Sequence, residues 1–311
     1  MIDTKINILE EKIAALEPLV GNTPLVEIRN VFQKPGVKIY AKLEWQQFSG
    51  SVKARAAFQI IKQAIKNQQL TEEKTLIDAS SGNTAIAYAA LGAALGIRVK
   101  IFLPKNASAE RKQILTAFGA EVQLTSPFGS TDEAQHEAKK AFQQDPQQYF
   151  YADQYNNENN WQAHYLTTGN EIFAQTLGTI THFVCGVGTS GTFVGTSRRL
   201  KERNPEIKLI SLHPDAALHG LEGWKHLPTA KIPGIYDDQL ADQAISIESG
   251  EAFDLIEKVA RQEGLLISPS SAANLAGAIQ VARQLEEGVI VTVFPDSAER
   301  YSEIINELFK P

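Results

Sequence analysis

Lys53 sits in Phe48-Ser49-Gly50-Ser51-Val52-Lys53-Ala54-Arg55, just past an apolar-alternating run, Lys38 to Glu44, that reads as a strand. An ammonium held in a glycine/serine turn at a strand end can be desolvated and lose its proton. It then becomes a nucleophile for a carbonyl carbon, such as the aldehyde of a cofactor. Most lysines in turns are solvated surface charges, so this reading depends on what other loops supply.

Three further loops carry chemistry. Ser80-Ser81-Gly82-Asn83-Thr84 lies between a predicted strand at 75–78 and a predicted helix at 84–95. Backbone N–H groups at a helix N-terminus bind anions, and serine, asparagine and threonine add donors. The loop exceeds what an N-cap needs and reads as a cradle for a substrate carboxylate. Gly186-Val187-Gly188-Thr189-Ser190-Gly191-Thr192 follows a predicted strand at 181–185 and opens a helix at 192–203. Its glycines admit a phosphate to the backbone, and Thr189, Ser190 and Thr192 offer hydroxyls. The string also fits Gly-x-Gly-x-x-Gly, with Asp215 where a dinucleotide site wants its ribose acid, so a dinucleotide-dependent oxidoreductase stands as an alternative. That alternative leaves Lys53 and the 80–84 loop unexplained. Ser268-Pro269-Ser270-Ser271 opens a predicted helix at 271–285, either as a cap with a proline turn or as a hydroxyl facing a heterocycle nitrogen.

The elements that must position these loops alternate. Strands are predicted at 25–28, 38–44, 75–78, 98–103, 121–124, 148–151, 181–185, 207–212 and 289–294. Helices are predicted at 53–68, 84–95, 108–118, 131–144, 158–176, 192–203, 250–263 and 271–285. Ile6, Leu9, Ile13 and Leu16 mark one face of an N-terminal helix. Repeated βα units mean parallel sheets flanked by helices, with ligands at the carboxyl ends of strands, where every motif falls. The stretch 213–243 is irregular and reads as a functional or covering loop.

The chain has 311 residues, 43% hydrophobic and 21% charged, a length that favours two domains. A net charge of −6 without a basic patch argues against a nucleic-acid partner. Ala85 to Ile97 is too short to span a bilayer and reads as a buried helix, so no membrane role is expected. The N-terminus lacks the pattern of a signal peptide, so cytoplasm is the expected location. Cys185 is the one cysteine, which precludes an intrachain disulfide, and it reads as core. The six histidines show no metal-ligand spacing, and no metal is expected.

Together these residues resemble the fold-type-II pyridoxal phosphate enzymes, specifically the cysteine synthases (O-acetylserine sulfhydrylases). The likeness runs from Gly21 to Tyr301. It is carried by Gly21-Asn22-Thr23-Pro24-Leu25-Val26, Lys42-Leu43-Glu44, Gly50-Ser51-Val52-Lys53, Ser81-Gly82-Asn83-Thr84, Asp153-Gln154-Tyr155-Asn156-Asn157, Thr167-Thr168-Gly169, Glu171-Ile172, Gly188 to Thr192, and Glu299-Arg300-Tyr301. Gln154 to Thr192, Leu227-Pro228 and Ile232 to Tyr236 look most like the B isozyme. The resemblance implies an α/β fold of the tryptophan synthase β type, with two domains, each a mostly parallel twisted sheet flanked by helices. The expected smaller domain is 39–147, with the Ser-Gly-Asn-Thr loop. The larger is 1–38 with 148–311, holding the phosphate loop.

By the same resemblance Lys53 is the catalytic residue and holds pyridoxal 5′-phosphate covalently. Asn83 meets the cofactor's 3′ oxygen, Gly188, Thr189, Ser190, Gly191 and Thr192 its phosphate, and Ser270 its ring nitrogen. Ser80, Ser81, Thr84 and Gln154 bind the substrate carboxylate. The implied reaction is β-replacement on an activated serine, O-acetyl-L-serine, by a sulfur donor to give L-cysteine, in a homodimer. The rivals are replacement with another nucleophile, of cystathionine or diaminopropionate type, and serine/threonine dehydration. The chain departs from the family at Gln47-Phe48, where Asn-Pro is usual, and at Ala54, Ala85 and Ala272. The loop bearing His219, Glu222, Trp224, Lys225 and His226 is expected to wall an open mouth that admits anionic sulfur donors.

Overall fold

The computed structural model describes residues 2–128 and 130–309; the side chains of residues 2–7 and 130, Ile6 among them, lie outside the description. The chain forms two compact units, Met1–Val20 with Lys53–Asn160, and Gly21–Val52 with Trp161–Pro311. Among the described residues no helix is long and apolar enough to cross a membrane. None of their His, Cys, Asp and Glu side chains form a cluster able to hold a metal ion.

The larger unit is built on a six-stranded sheet in the order β1-β2-β10-β7-β8-β9. These strands are β1 (Leu25–Ile28), β2 (Val37–Leu43), β7 (His182–Gly186), β8 (Lys208–Pro214), β9 (Gln243–Ile247) and β10 (Gly288–Phe294). Every neighbouring pair is parallel except β1 with β2. β2 pairs with β10 from Val37↔Gly288 to Leu43↔Phe294. That ladder holds residues 39–43 in this unit, which continues to Val52, whereas the sequence expectation drew the boundary at 39. β9 falls at the end of the stretch expected to be irregular. It is an exposed edge strand, so its alternation carries little apolar signal.

Helices α6 (Asn159–Leu166), α7 (Thr168–Gln175), α8 (Gly191–Arg203), α9 (Ser249–Glu263), α10 (Pro269–Gln284) and α11 (Ser302–Leu308) follow in chain order. The helix expected over 158–176 is broken at Thr167, whose hydroxyl bonds back to Ala163 O at 2.6 Å. α10 is buried along nearly its whole length and carries Ala272 into the core beside Ile267 and Phe294.

Several motif residues form one buried polar frame in this unit. Lys42 Nζ, fully buried, meets Glu171 Oε2 at 2.8 Å and donates to Thr23 O at 2.9 Å. Thr23 Oγ1 donates to Glu44 Oε1 at 2.7 Å. Gln47 Nε2 donates to Glu44 Oε2 at 2.9 Å, and Gln47 Oε1 accepts from Gly21 N at 2.9 Å. A buried lysine is tolerable only when its charge and its donors are met, and here Glu171, the Thr23 carbonyl and Gln175 Oε1 meet them. The frame holds the turn that leads to Lys53. Glu44 N and Val52 N close it by donating to Phe294 O and Pro295 O at 3.0 and 2.8 Å.

The smaller unit is a parallel four-stranded sheet in the order β5-β4-β3-β6. Its strands are β3 (Thr75–Ala79), β4 (Arg98–Pro104), β5 (Glu121–Thr125) and β6 (Tyr149–Tyr151). Its helices are α1 (Ile2–Leu16), α2 (Lys53–Lys66), α3 (Asn83–Leu95), α4 (Ala109–Ala117) and α5 (Ser130–Gln144). α3 is the buried Ala/Gly-rich helix the sequence predicts. α1 belongs here: Leu9 and Ile13 are buried, and Lys12 Nζ donates to Leu95 O at 3.1 Å. β6 pairs with β3 through Ile77↔Tyr151, which brings 148–160 into this unit too.

Candidate functional site

The loop from β3 to α3 spans only residues 80–82. Its helix cap, Gly82, makes no side-chain capping bond, and Gly82 N donates to Ser80 Oγ at 3.2 Å. The loop's further hydroxyls and amides therefore exceed local capping needs. Arg111 Nη1 supports the turn by donating to Ser81 O at 3.1 Å. Asn83 opens α3 half-buried, and Thr84 is buried behind it.

Gln154 leaves β6 through Asp153, whose φ of 47° is left-handed. Every backbone group of Gln154 is spoken for. Its N–H donates to Asp78 Oδ2 at 3.3 Å, and its carbonyl accepts from Asn160 Nδ2 at 2.7 Å. In its side chain, Nε2 donates to Ala79 O at 3.1 Å, and Oε1 accepts the Thr84 hydroxyl at 2.7 Å. A carbonyl can only accept, so Ala79 fixes which way the amide faces and leaves one Nε2 proton for a ligand. Thr84, expected to be a direct donor, commits its proton to Gln154 instead.

Asp78 is fully buried, and burial pushes its carboxyl up to about 7, against the pull of the Ala79 and Gln154 N–H groups. Tyr88, Tyr151 and Tyr155 around it are all raised above the usual phenol range, by burial first and then by Asp78.

Lys53 opens α2, half-buried, one residue after the anchored Val52. Ala54 and Ala85, two of the departures, are both buried.

In the larger unit the phosphate loop runs from the end of β7 to the start of α8. Ser190 caps α8 in the left-handed region, φ 73°, and its buried Oγ has no hydrogen-bond partner among the described residues. The first turn of a helix presents N–H groups that lack intrahelical partners, at the positive end of the dipole. The glycines permit close approach. A Cβ on Gly188 would lie 1.9 Å from Gly223 O, and one on Gly186 would lie 2.1 Å from the Trp224 ring. Thr192 Oγ1 is 3.3 Å from His164 Nε2, and His164 Nδ1 is 2.9 Å from Thr168 Oγ1. An orphaned hydroxyl, a crowded glycine turn and a helix N-terminus suit a phosphate group.

Sequence reasoning assigned Trp224 to the wall of an open mouth. The structure buries it beneath the phosphate loop, with Lys225 N donating to Val187 O at 3.0 Å. The signal was present at Gly186, which has room for no side chain. His213 and His219 are lowered below the usual histidine range, by burial first and then by His226, which weakens their claim to attract anions. Asp215 is exposed just past β8.

Ser268 is the N-cap of α10, accepting from Ser271 N, so the capping reading holds for that serine. Ser270 lies inside the helix, buried, with its Oγ 3.1 Å from Ser268 Oγ and 3.4 Å from Asp296 Oδ1. Ser271 Oγ donates to Asp296 O at 2.8 Å, and Tyr301 OH donates to Asp296 Oδ2.

Residues 16–296 match the family described as pyridoxal-phosphate dependent enzymes. The cysteine synthase of Aquifex aeolicus is 46% identical over 290 residues, covering 91% of this chain and 89% of that one. Cysteine synthase B of Escherichia coli is 36% identical over 290 residues, covering 93% and 94%. The crystal structure of cysteine synthase (OASS) from Entamoeba histolytica superposes with a TM-score of 0.88 at 33% identity, covering 95% of each chain.

Proposed function

The chain belongs to the pyridoxal-phosphate dependent enzyme family, among the cysteine synthases, and from that premise we propose that it makes L-cysteine by β-replacement on O-acetyl-L-serine. That family's cofactor is pyridoxal phosphate, which supports reading the glycine string as its phosphate loop and not as a dinucleotide site. When bound, that cofactor supplies the electron sink that acidifies the α-carbon and lets the β-acetate leave.

The chain's own residues do the rest. Gly188, Thr189, Ser190, Gly191 and Thr192 hold the phosphate, with the Ser190 hydroxyl given the partner it otherwise lacks. Asn83 meets the 3′ oxygen, and Ser270 faces the ring nitrogen with a neutral hydroxyl. Ser80, Ser81 and the remaining Nε2 proton of Gln154 bind the substrate carboxylate, and Thr84 holds that amide in place. Lys53 Nζ takes the α-proton as acetate departs, and returns it after the sulfur nucleophile has added to the β-carbon.

The observation that carries this reading is Gln154, its side-chain amide held by Ala79 O and the Thr84 hydroxyl and its backbone by Asp78 and Asn160, with one Nε2 donor left unspent beside the 80–84 loop. The test is incubation of the holoenzyme with O-acetylserine and either sulfide or thiosulfate, with mass spectrometry of the products. Cysteine from sulfide, or its S-sulfo derivative from thiosulfate, supports the reading; pyruvate alone would make the enzyme a dehydratase-type eliminase. The same reading implies a homodimer resident in the cytoplasm, which sedimentation of the holoenzyme and cell fractionation would check.

A further inference from the structure

We propose that Asp78 is a positioning residue for the substrate carboxylate site, acting by fixing Gln154. This role rests on the reading of Gln154 as a substrate-binding residue.

Asp78 is the penultimate residue of β3 and is fully buried. One oxygen accepts from Ala79 N at 2.8 Å and the other from Gln154 N at 3.3 Å. Ala79 O in turn accepts from Gln154 Nε2 at 3.1 Å. The three residues thus close a ring of hydrogen bonds between the exit of β3 and the exit of β6. The first exit leads directly into Ser80, Ser81 and Thr84; the second is Gln154 itself. All four expected carboxylate ligands hang from this ring.

The ring works against two costs. Asp153, just before Gln154, has a left-handed φ of 47°, a conformation that aspartate tolerates better than most non-glycine residues but still at some cost. A carboxylate buried away from cations is also costly, and an apolar side chain would pack a strand end without that penalty. The groups facing Asp78 are Tyr88 from α3, Tyr151 from β6, and Asp153 and Tyr155 from the following turn. None of them is a cation. What the carboxylate provides there, and an apolar residue would not, is two acceptors at the angle that sets the Gln154 backbone.

The experiment is a double-mutant cycle on the holoenzyme with Asp78→Asn, Gln154→Ala and the pair, reading KM for the amino acid, kcat and cofactor affinity by fluorescence. An asparagine can accept from only one of the two N–H groups. Asp78→Asn should raise KM about tenfold, the effect of losing one hydrogen bond to a charged group, with kcat and cofactor affinity nearly unchanged. In the Gln154→Ala background it should add nothing, because two residues acting through one group are non-additive. Asp78→Glu, which keeps both acceptors, should recover most of the affinity, and it serves for the same comparison should the asparagine variant not fold. An equal effect of Asp78→Asn with and without Gln154 would overturn the role. So would a loss of thermal stability and cofactor affinity with KM unmoved. If Gln154→Ala itself leaves KM unchanged, it is the assignment of Gln154 that fails.

Discussion

Thr84 gives its hydroxyl proton to Gln154 Oε1 at 2.7 Å, across 70 residues of chain. The two residues therefore act in series. Gln154→Ala should weaken amino-acid binding about ten- to a hundredfold, the value of a hydrogen bond to a charged group, while leaving cofactor affinity intact. Thr84→Val keeps the shape and loses the proton, so it should cost less, and nothing further once Gln154 is absent. Titration of the holoenzyme with amino acid, followed by the cofactor's absorbance, reads both. Full additivity in the double variant would return Thr84 to a direct role.

Lys53→Ala should give a folded protein without turnover. Lys53 is half-buried at the first position of α2, where alanine is the better helix former, so stability should change by less than about 1 kcal/mol. The measurement pairs a thermal melt with the absorption spectrum and product formation. A colourless variant that turns over normally would remove Lys53 from the chemistry.

Gly188→Ala should loosen the cofactor. The new methyl carbon would lie 1.9 Å from Gly223 O, so the loop must move, at a cost of about 1–3 kcal/mol, or roughly ten- to a hundredfold in phosphate affinity. Gly223→Ala is the contrast. A Cβ there meets no atom, although its φ of 82° is itself unfavourable. Fluorescence titration with pyridoxal phosphate separates the two, and equal affinity in the Gly188 variant and wild type would contradict the phosphate assignment.

Stability should fall as pH rises from about 4 to about 7, and Asp78 should be part of the reason. Its carboxyl is raised from 3.8 to about 7 in the fold, so the folded state holds a proton that the unfolded chain releases. That contribution is fully present below the unfolded value and is lost as pH rises through about 7, amounting to a few kcal/mol in all. Denaturant melts at about pH 5 and about pH 8 should show a larger loss for wild type than for Asp78→Asn. Parallel pH dependence in the two proteins would assign the effect elsewhere.

The chemistry-bearing loops were legible because each is a local event. A strand end, a run of glycine, serine or threonine, and a helix start are contiguous in sequence, and the physics of helix N-termini acts on them directly. The same holds for α3, whose apolar run needs no partner to be recognised, and for the βα alternation that set the fold class. Ser268 as a cap was readable for this reason too. The family resemblance added Gln154, which no local signal marks.

What the sequence left open depends on residues brought together from afar. The parallel register Ile77↔Tyr151 between β3 and β6 is what lines up Asp78 and Ala79 with Gln154, and no local pattern specifies which strands pair. The ladder between β2 and β10 likewise ties residues 39–43 to the larger unit, which runs on to Val52. Trp224 was taken from a presumed rim to the floor of the phosphate loop by a packing requirement at Gly186, a residue nearly forty positions earlier in the chain. Residue types and short spacings determined which groups could do chemistry here. Sheet pairing and packing decided which of those groups face a ligand and which, like Thr84 and Asp78, face one another, because a hydrogen bond has one donor and its partner is chosen by the fold.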